Sequence, residues 1–198
     1  MQRSRSIEKI ARAAAVAKEH LATPLPILII ESITGHLLTV NIANGRLLVY
    51  SNDRRVFFDE PITKFRAVLF LNCKNCKMYI LAKLLKITMI ECINCHLEIH
   101  STLVGPAELF HCIDSTVQIY AHIPLCTIES CKKVTVFQHI DELIYNVIAC
   151  LESFVCVGET KHPIEDLLSL RRFYHIGSGY IEHCEQAYSL MEINLHPV

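Results

Sequence analysis

The chain has 198 residues, enough for one domain with its own core, and its net charge of −1 gives no electrostatic case for binding nucleic acid or an anionic membrane. Hydrophobic residues make up 52%, yet no uncharged apolar run approaches the roughly 20 residues that span a bilayer. Ten cysteines without a secretory signal read as reduced thiols rather than a disulfide framework.

Residues 1–26 read as a capping helix and linker. Ile7, Ile10, Ala14, Ala17 and Leu21 recur at alternating steps of three and four and form one apolar stripe, which predicts a helix over 5–21 that Pro24 and Pro26 end. The stripe is expected to dock on the main domain, with a partner helix as the alternative. The basic, Ala-rich start has the texture of a mitochondrial presequence, but Glu8 and Glu19 oppose that reading. Gln2 stands where N-myristoylation needs glycine. The expected location is cytoplasmic, at the cytoskeleton or a cilium.

From Ile27 onward, short runs of Val, Ile, Leu, Phe and Tyr alternate with polar turns, and they repeat. The anchors Cys73, Cys92, Cys112, Cys131 and Cys150 are separated by 19, 20, 19 and 19 residues. Three residues before them lie Phe70, Met89, Leu109, Ile128 and Val147. Three after them lie Cys76, Cys95, Ser115, Val134 and Ser153, and five after them Met78, Leu97, Val117, Val136 and Val155. These columns read as inward. The column four after, Lys77, His96, Thr116, Thr135 and Phe154, reads as outward. A further copy is expected around Asp53 with Val56 and Phe58, and a weaker one around Ile33 with His36 and Leu38.

A period near 20 residues with short strands predicts an all-β parallel β-solenoid over residues 27–157, with six to eight coils. An insert at 158–178 is expected to be helical, since Pro163 precedes Ile164, Leu167 and Leu168 at helical spacing. A terminal coil or cap at 179–198 is expected to resume the frame, with Cys184 as anchor and Ile181, Ala187 and Ser189 in its columns. Exchange of that last coil between chains would give a homodimer.

Cys73, Cys76, Cys92 and Cys95 also form C-x2-C-x15-C-x2-C, a spacing that fits a four-thiolate zinc site. Zinc accounts for four residues. A structural ladder of Cys73, Cys92, Cys112, Cys131, Cys150 and Cys184, with Cys76 and Cys95 beside it, accounts for every anchor, so no metal or other cofactor is expected. His96, His100, His111, His122 and His139 show no metal-binding spacing and read as surface or turn residues. Glu165 and Asp166 read as first-turn carboxylates of the insert helix. The residues following each anchor should stack at one corner: Arg54-Arg55, Lys74-Asn75, Ile93-Asn94, Ile113-Asp114, Lys132-Lys133 and Leu151-Glu152. Arg54, Arg55, Lys74, Lys132 and Lys133 make it basic at several coils and suit a partner with an acidic surface.

The segments NCKNCKMYI (72–80), ECINCHLEI (91–99), VGP (104–106) and ESCKKVTVF (129–137) resemble the tubulin cofactor C domain, shared with the retinitis pigmentosa 2 protein, and the related C-terminal domain of cyclase-associated protein. The resemblance covers about residues 35–157 and implies a right-handed parallel β-helix. In the cofactor C branch it implies GTPase activation by an arginine finger four residues before a coil's anchor cysteine. Here that position is Thr127, with Pro124 and Leu125 where the branch carries two glutamines. Thr has no cation to stabilise a transferring phosphate. The expectation is therefore a non-enzymatic, protein-binding scaffold whose partner is tubulin, actin or a larger cytoskeletal assembly. The alternatives are a GTPase-activating protein using another Arg, for tubulin or an Arf-like GTPase, and an actin-monomer nucleotide exchange factor.

Overall fold

The computed structural model describes residues 27–51, 56–61, 66–164, 172–177 and 180–183. In chain order the strands are β1 (Ile27–Glu31), β2 (Leu37–Ala43), β3 (Arg46–Ser51), β4 (Val56–Pro61), β5 (Ala67–Leu71), β6 (Lys77–Ile80), β7 (Lys86–Ile90), β8 (His96–Ile99), β9 (Ala107–Phe110), β10 (Thr116–Ile119), β11 (Cys126–Glu129), β12 (Thr135–Gln138), β13 (Glu142–Ile148), β14 (Phe154–Val157), β15 (Thr160–Pro163), β16 (Arg172–Gly177) and β17 (Tyr180–His183). There is no helix among the described residues.

The strands form two sheets, and each coil contributes one strand to each. The first sheet runs β1-β5-β7-β9-β11-β13-β16-β17, the second β15-β14-β12-β10-β8-β6-β2-β3-β4. Pairing is parallel from β1 to β13 and from β2 to β14, so the molecule is the parallel β-helix that the repeat predicts. The columns are in register: Phe70 faces Met89, Met89 faces Leu109, and Ile128 faces both Leu109 and Val147. On the second sheet Met78, Leu97, Val117, Val136 and Val155 align in the same way. All of these side chains are buried, because alternation along each strand sends them between the sheets.

The turn from one sheet into the other is set by two left-handed residues per coil. One precedes the anchor (Ser32, Asn72, Glu91, His111, Ser130, Ala149) and one follows it by two (Gly35, Asn75, Asn94, Asp114, Lys133, Glu152), all at positive φ. Between them Thr34, Lys74, Ile93, Ile113, Lys132 and Leu151 bridge from coil to coil. Asn, Asp and Gly tolerate this conformation, whereas the other residues hold it at a cost of about 1–2 kcal/mol each, offset by packing of the coil. On the return side, Gly105 N–H donates to Leu85 O at 2.6 Å, and a Cβ at Gly105 would lie 3.0 Å from that oxygen. Only glycine allows so close an approach without a shift.

The structure corrects the repeat at both ends. The copy expected around Asp53 is not a coil. Ile33, His36 and Leu38 stack directly under the Cys73 coil, with Thr34 bridging Lys74 and Leu38 facing Met78. Residues between β2 and β5 instead leave the solenoid as β3 and β4, which add antiparallel to the edge of the second sheet. The cause is the two-residue turn Asn44-Gly45, both at positive φ, which folds β2 back on β3 as a hairpin. The insert expected to be helical begins and ends as strand: β15 returns antiparallel on β14 through Gly158-Glu159, and β16 runs antiparallel on β13. Residues 165–171, with Glu165 and Asp166, lie outside the described residues. β17 also pairs antiparallel, Ile181 facing Ile176, so it does not continue the parallel frame as a further coil. Cys184, Ala187 and Ser189 lie outside the described residues, as does the segment 1–26.

Candidate functional site

The cysteine columns sit at the corner turns, where backbone carbonyls crowd together. Cys92 Sγ donates toward Phe70 O and Ile90 O, both at 3.6 Å, and Cys150 Sγ toward Ile128 O at 3.2 Å and Ile148 O at 3.3 Å. Cys73, Cys112 and Cys131 repeat this pattern, each reaching a carbonyl of its own turn and one of the preceding coil. In the second column Cys76, Cys95, Ser115 and Ser153 all reach the carbonyl two residues earlier, at 3.0–3.4 Å. A small side chain with one weak donor suits both positions, so thiol and hydroxyl interchange there. Among the described residues no group of three or more His, Cys, Asp or Glu side chains is arranged to hold a metal ion. Burial pushes the Cys126 thiol up to about 12. For Cys95, hydrogen bonding to Cys76 acts downward, but Cys92 and burial carry it up to about 11.

Outside this ladder the corner presents a ridge. Lys74, Ile93, Ile113, Lys132 and Leu151 are consecutive bridge residues, all exposed, with Ile113 at 39% and Leu151 at 41%. Beside them run Asn75, Asn94, Asp114, Lys133 and Glu152, also exposed. The structure therefore brings Lys74, Lys132 and Lys133 onto one corner. Arg54 and Arg55 lie outside the described residues. The basic character is tempered, because Glu152 carboxylate oxygens lie 3.5 Å from Lys132 Nζ and 3.9 Å from Lys133 Nζ. What the ridge offers is an apolar line, Ile93-Ile113, between two lysines.

The outer face of the second sheet carries a polar and aromatic network that the sequence reading missed. His100, Tyr120 and His139 stack one above the next, with ring centroids 4.6 and 4.3 Å apart and interplanar angles of 8° and 3°. All three lie eight residues after an anchor, a column visible in the sequence once the coil frame is set. Glu98 is hydrogen-bonded to His96 at 2.9 Å and to His100 at 2.8 Å, and Tyr120 donates to Gln118. Burial acts to raise the Glu98 carboxyl, but the two histidine contacts together hold it below its ordinary value.

Thr127 stands on the outer face of the first sheet, facing Glu108 on β9 and Asn146 on β13. It is buried, and Asn146 Nδ2 lies 3.5 Å from its hydroxyl. Glu108 accepts from Lys86 Nζ and Thr88 Oγ1, both at 2.9 Å. The two arginines with described side chains are engaged elsewhere: Arg46 with Asp59, and Arg66 over the Phe58 ring at 5.3 Å.

Residues 48–165 match the family described as adenylate cyclase associated (CAP) C terminal, more than half of the chain. The chain belongs to the CAP C-terminal family. That span of the CAP C-terminal domain includes the ridge from Lys74 to Leu151, the ring stack and Thr127. The fold is also similar to the crystal structure of cyclase-associated protein from Cryptosporidium parvum, with a TM-score of 0.55 and 12% identity, over 83% of this chain and 92% of that one. At that identity the likeness speaks for the β-helix alone. No curated protein matches the chain.

Proposed function

We propose that this CAP C-terminal domain is a non-enzymatic scaffold that binds actin monomers through the corner ridge. The observation that carries the reading is family membership over 48–165, which points to the actin side of the superfamily. The ridge supports it physically: exposed Ile93 and Ile113 supply an apolar centre, and Lys74 and Lys132 flank it with charge suited to an acidic partner. A rigid solenoid presents such a line with little ordering cost on binding. Titration of fluorescently labelled actin monomers with the protein tests the proposal. Saturable binding is expected, and its absence would remove the actin reading.

A second reading, a tubulin-binding protein of the cofactor C branch, is favoured by the paired motif at Cys73-Cys76 and Cys92-Cys95. GTPase activation is not part of it, because Thr127 has no guanidinium. Saturable binding of tubulin with no binding of actin monomers would favour this reading over the first, and single-turnover GTP hydrolysis by tubulin or an Arf-like GTPase tests the exclusion of catalysis. A large acceleration by this protein would point to catalysis through another Arg.

A further inference from the structure

Alternation along the strands of the first sheet sends every second side chain outward, and on the first coils those side chains are apolar. Ile29 faces Leu69, and Leu71, Ile90 and Phe110 align on successive coils. Ile27 and Ile29 are 48% and 56% exposed, and Leu69, Leu71, Ile90 and Phe110 are half-buried. These six side chains make one contiguous apolar patch, a surface that marks a docking site more often than a solvated face. One column of the patch ends in charge on both sides. Glu31 faces Leu71 and Glu129 faces Phe110, so the order along the solenoid is Glu31, Leu71, Ile90, Phe110, Glu129. The outer face of the second sheet is polar at the same coils, with Lys77, His96 and Thr116 in one column and Tyr79, Glu98 and Gln118 in the next.

We propose that this patch is the docking surface for the segment 1–21 of the same chain, laid as an amphipathic helix across the outer face of the first sheet from β1 toward β11. That segment lies outside the described residues, and its sequence fits the patch in reach, in apolar stripe and in charge. It runs into Ile27, itself part of the patch, through Ala22-Thr23-Pro24-Leu25-Pro26. Five residues span at most about 17 Å, so a helix ending at Leu21 stays within reach of the patch and at high effective concentration. The stripe Ile7, Ile10, Ala14, Ala17 and Leu21 supplies the apolar side, and its two alanines let the helix lie close to the sheet. The segment carries Arg3, Arg5, Lys9, Arg12 and Lys18 against Glu8 and Glu19. Arg3 stands in line with the stripe at one end, and Lys18 flanks it at the other, about 22 Å apart along a helix. Glu31 and Glu129 are four strand spacings apart, about 19 Å. With Leu21 nearest Ile27, Lys18 lies toward Glu31 and Arg3 toward Glu129, and opposite charges meet at both ends.

The test uses the full chain. Ala13, which flanks the stripe, is replaced by the photoreactive p-benzoylphenylalanine, and the cross-links are located to the residue by mass spectrometry at low and at high protein concentration. Links should form within one chain, to Leu69, Leu71, Ile90, Phe110 or their neighbours on the outer face, in a yield independent of concentration. Adding Ile10→Asp puts a charge in the centre of the stripe and should lower that yield at least about fivefold. Adding Arg12→Gln, on the opposite side of the helix, should leave it unchanged. Both changes lie outside the solenoid strands, so the variants should melt as the parent does. Links to the second sheet, no links at all, or links that survive Ile10→Asp overturn the proposal. Links between chains that grow with concentration also overturn it, and give the patch to a second copy instead.

Discussion

Asn94 stacks on Asn75 one coil away: its Nδ2 donates to Asn75 Oδ1 at 2.8 Å, and both residues hold a positive φ. One amide side chain thus meets two needs of the corner, tolerating the left-handed backbone and tying neighbouring coils together. Asn94→Ala should lower stability by about 1–2 kcal/mol through backbone strain and the lost bond. At the same corner Lys133 holds a φ of 54°, and its 3.9 Å contact with Glu152 is exposed. Lys133→Gly should therefore raise stability, by up to about 1 kcal/mol, because relief of strain outweighs a screened surface pair. Urea unfolding of the three proteins checks both signs.

Gln138 pins the antiparallel cap to the solenoid. Its Nε2 donates to Ile140 O at 3.0 Å and Ile176 O at 2.9 Å, and its Oε1 accepts from the fully buried Tyr145 hydroxyl at 3.1 Å. Gln138→Leu keeps the volume but strands these partners, and should cost about 2–3 kcal/mol. Hydrogen exchange should show the added loss of protection first in β16, since that strand loses its tie to the end of β12.

Alkaline stability should report the buried thiols. The ordinary value is 9.0, and burial holds Cys126 at about 12 in the folded chain. Above pH 9 the unfolded chain loses this proton while the folded chain keeps it, so stability falls from pH 9 to about 12. Each such thiol contributes up to about 1.4 kcal/mol per pH unit to that slope. Cys126→Ala should cost stability at pH 7 by leaving a small cavity, yet show a shallower decline above pH 9. Denaturation midpoints at a series of pH values measure both.

On the acid side the sign reverses for Glu98. Its folded carboxyl is held below the ordinary value by His96 and His100, so its contribution is present above the unfolded value of 4.5 and is lost as pH falls through the folded value. Glu98→Gln should be less stable near neutral pH and should lose part of the wild type's decline below pH 4.5. The same unfolding experiment, carried down to acid, checks it.

The coil frame was legible because two rules coincide in this sequence: a period of 19 or 20 residues, and alternation within each strand. Phe70, Met78 and their equivalents could be placed inside before any coordinates. The excursion at β3 and β4 was hidden because LLVYS and VFFDE alternate just as coil strands do. Periodicity reports which face is buried, not whether the neighbour is parallel or antiparallel. Asn44-Gly45 was the available signal for a hairpin, and Gly158-Glu159 after β14 was another. The insert carries the i, i+3, i+4 spacing of a helix at Ile164, Leu167 and Leu168, yet its described ends are strands, because sheet pairing with β13 and β14 is a tertiary contact that local spacing does not encode. The ring stack went unseen because His100 and His139 join into a column only through Tyr120, a different residue type.

The central claim is that the corner ridge of this CAP C-terminal domain binds an actin monomer. It is tested most directly by titrating labelled actin monomers with the wild type and with the variant Lys74→Glu, Ile113→Asp, Lys132→Glu, whose three changes are all at exposed positions. Saturable binding by the wild type, weakened at least about tenfold in a variant that melts normally, is the predicted result, since each lost anchor contributes on the order of 1 kcal/mol or more. Equal affinity of the two proteins, or no binding by the wild type, would contradict it.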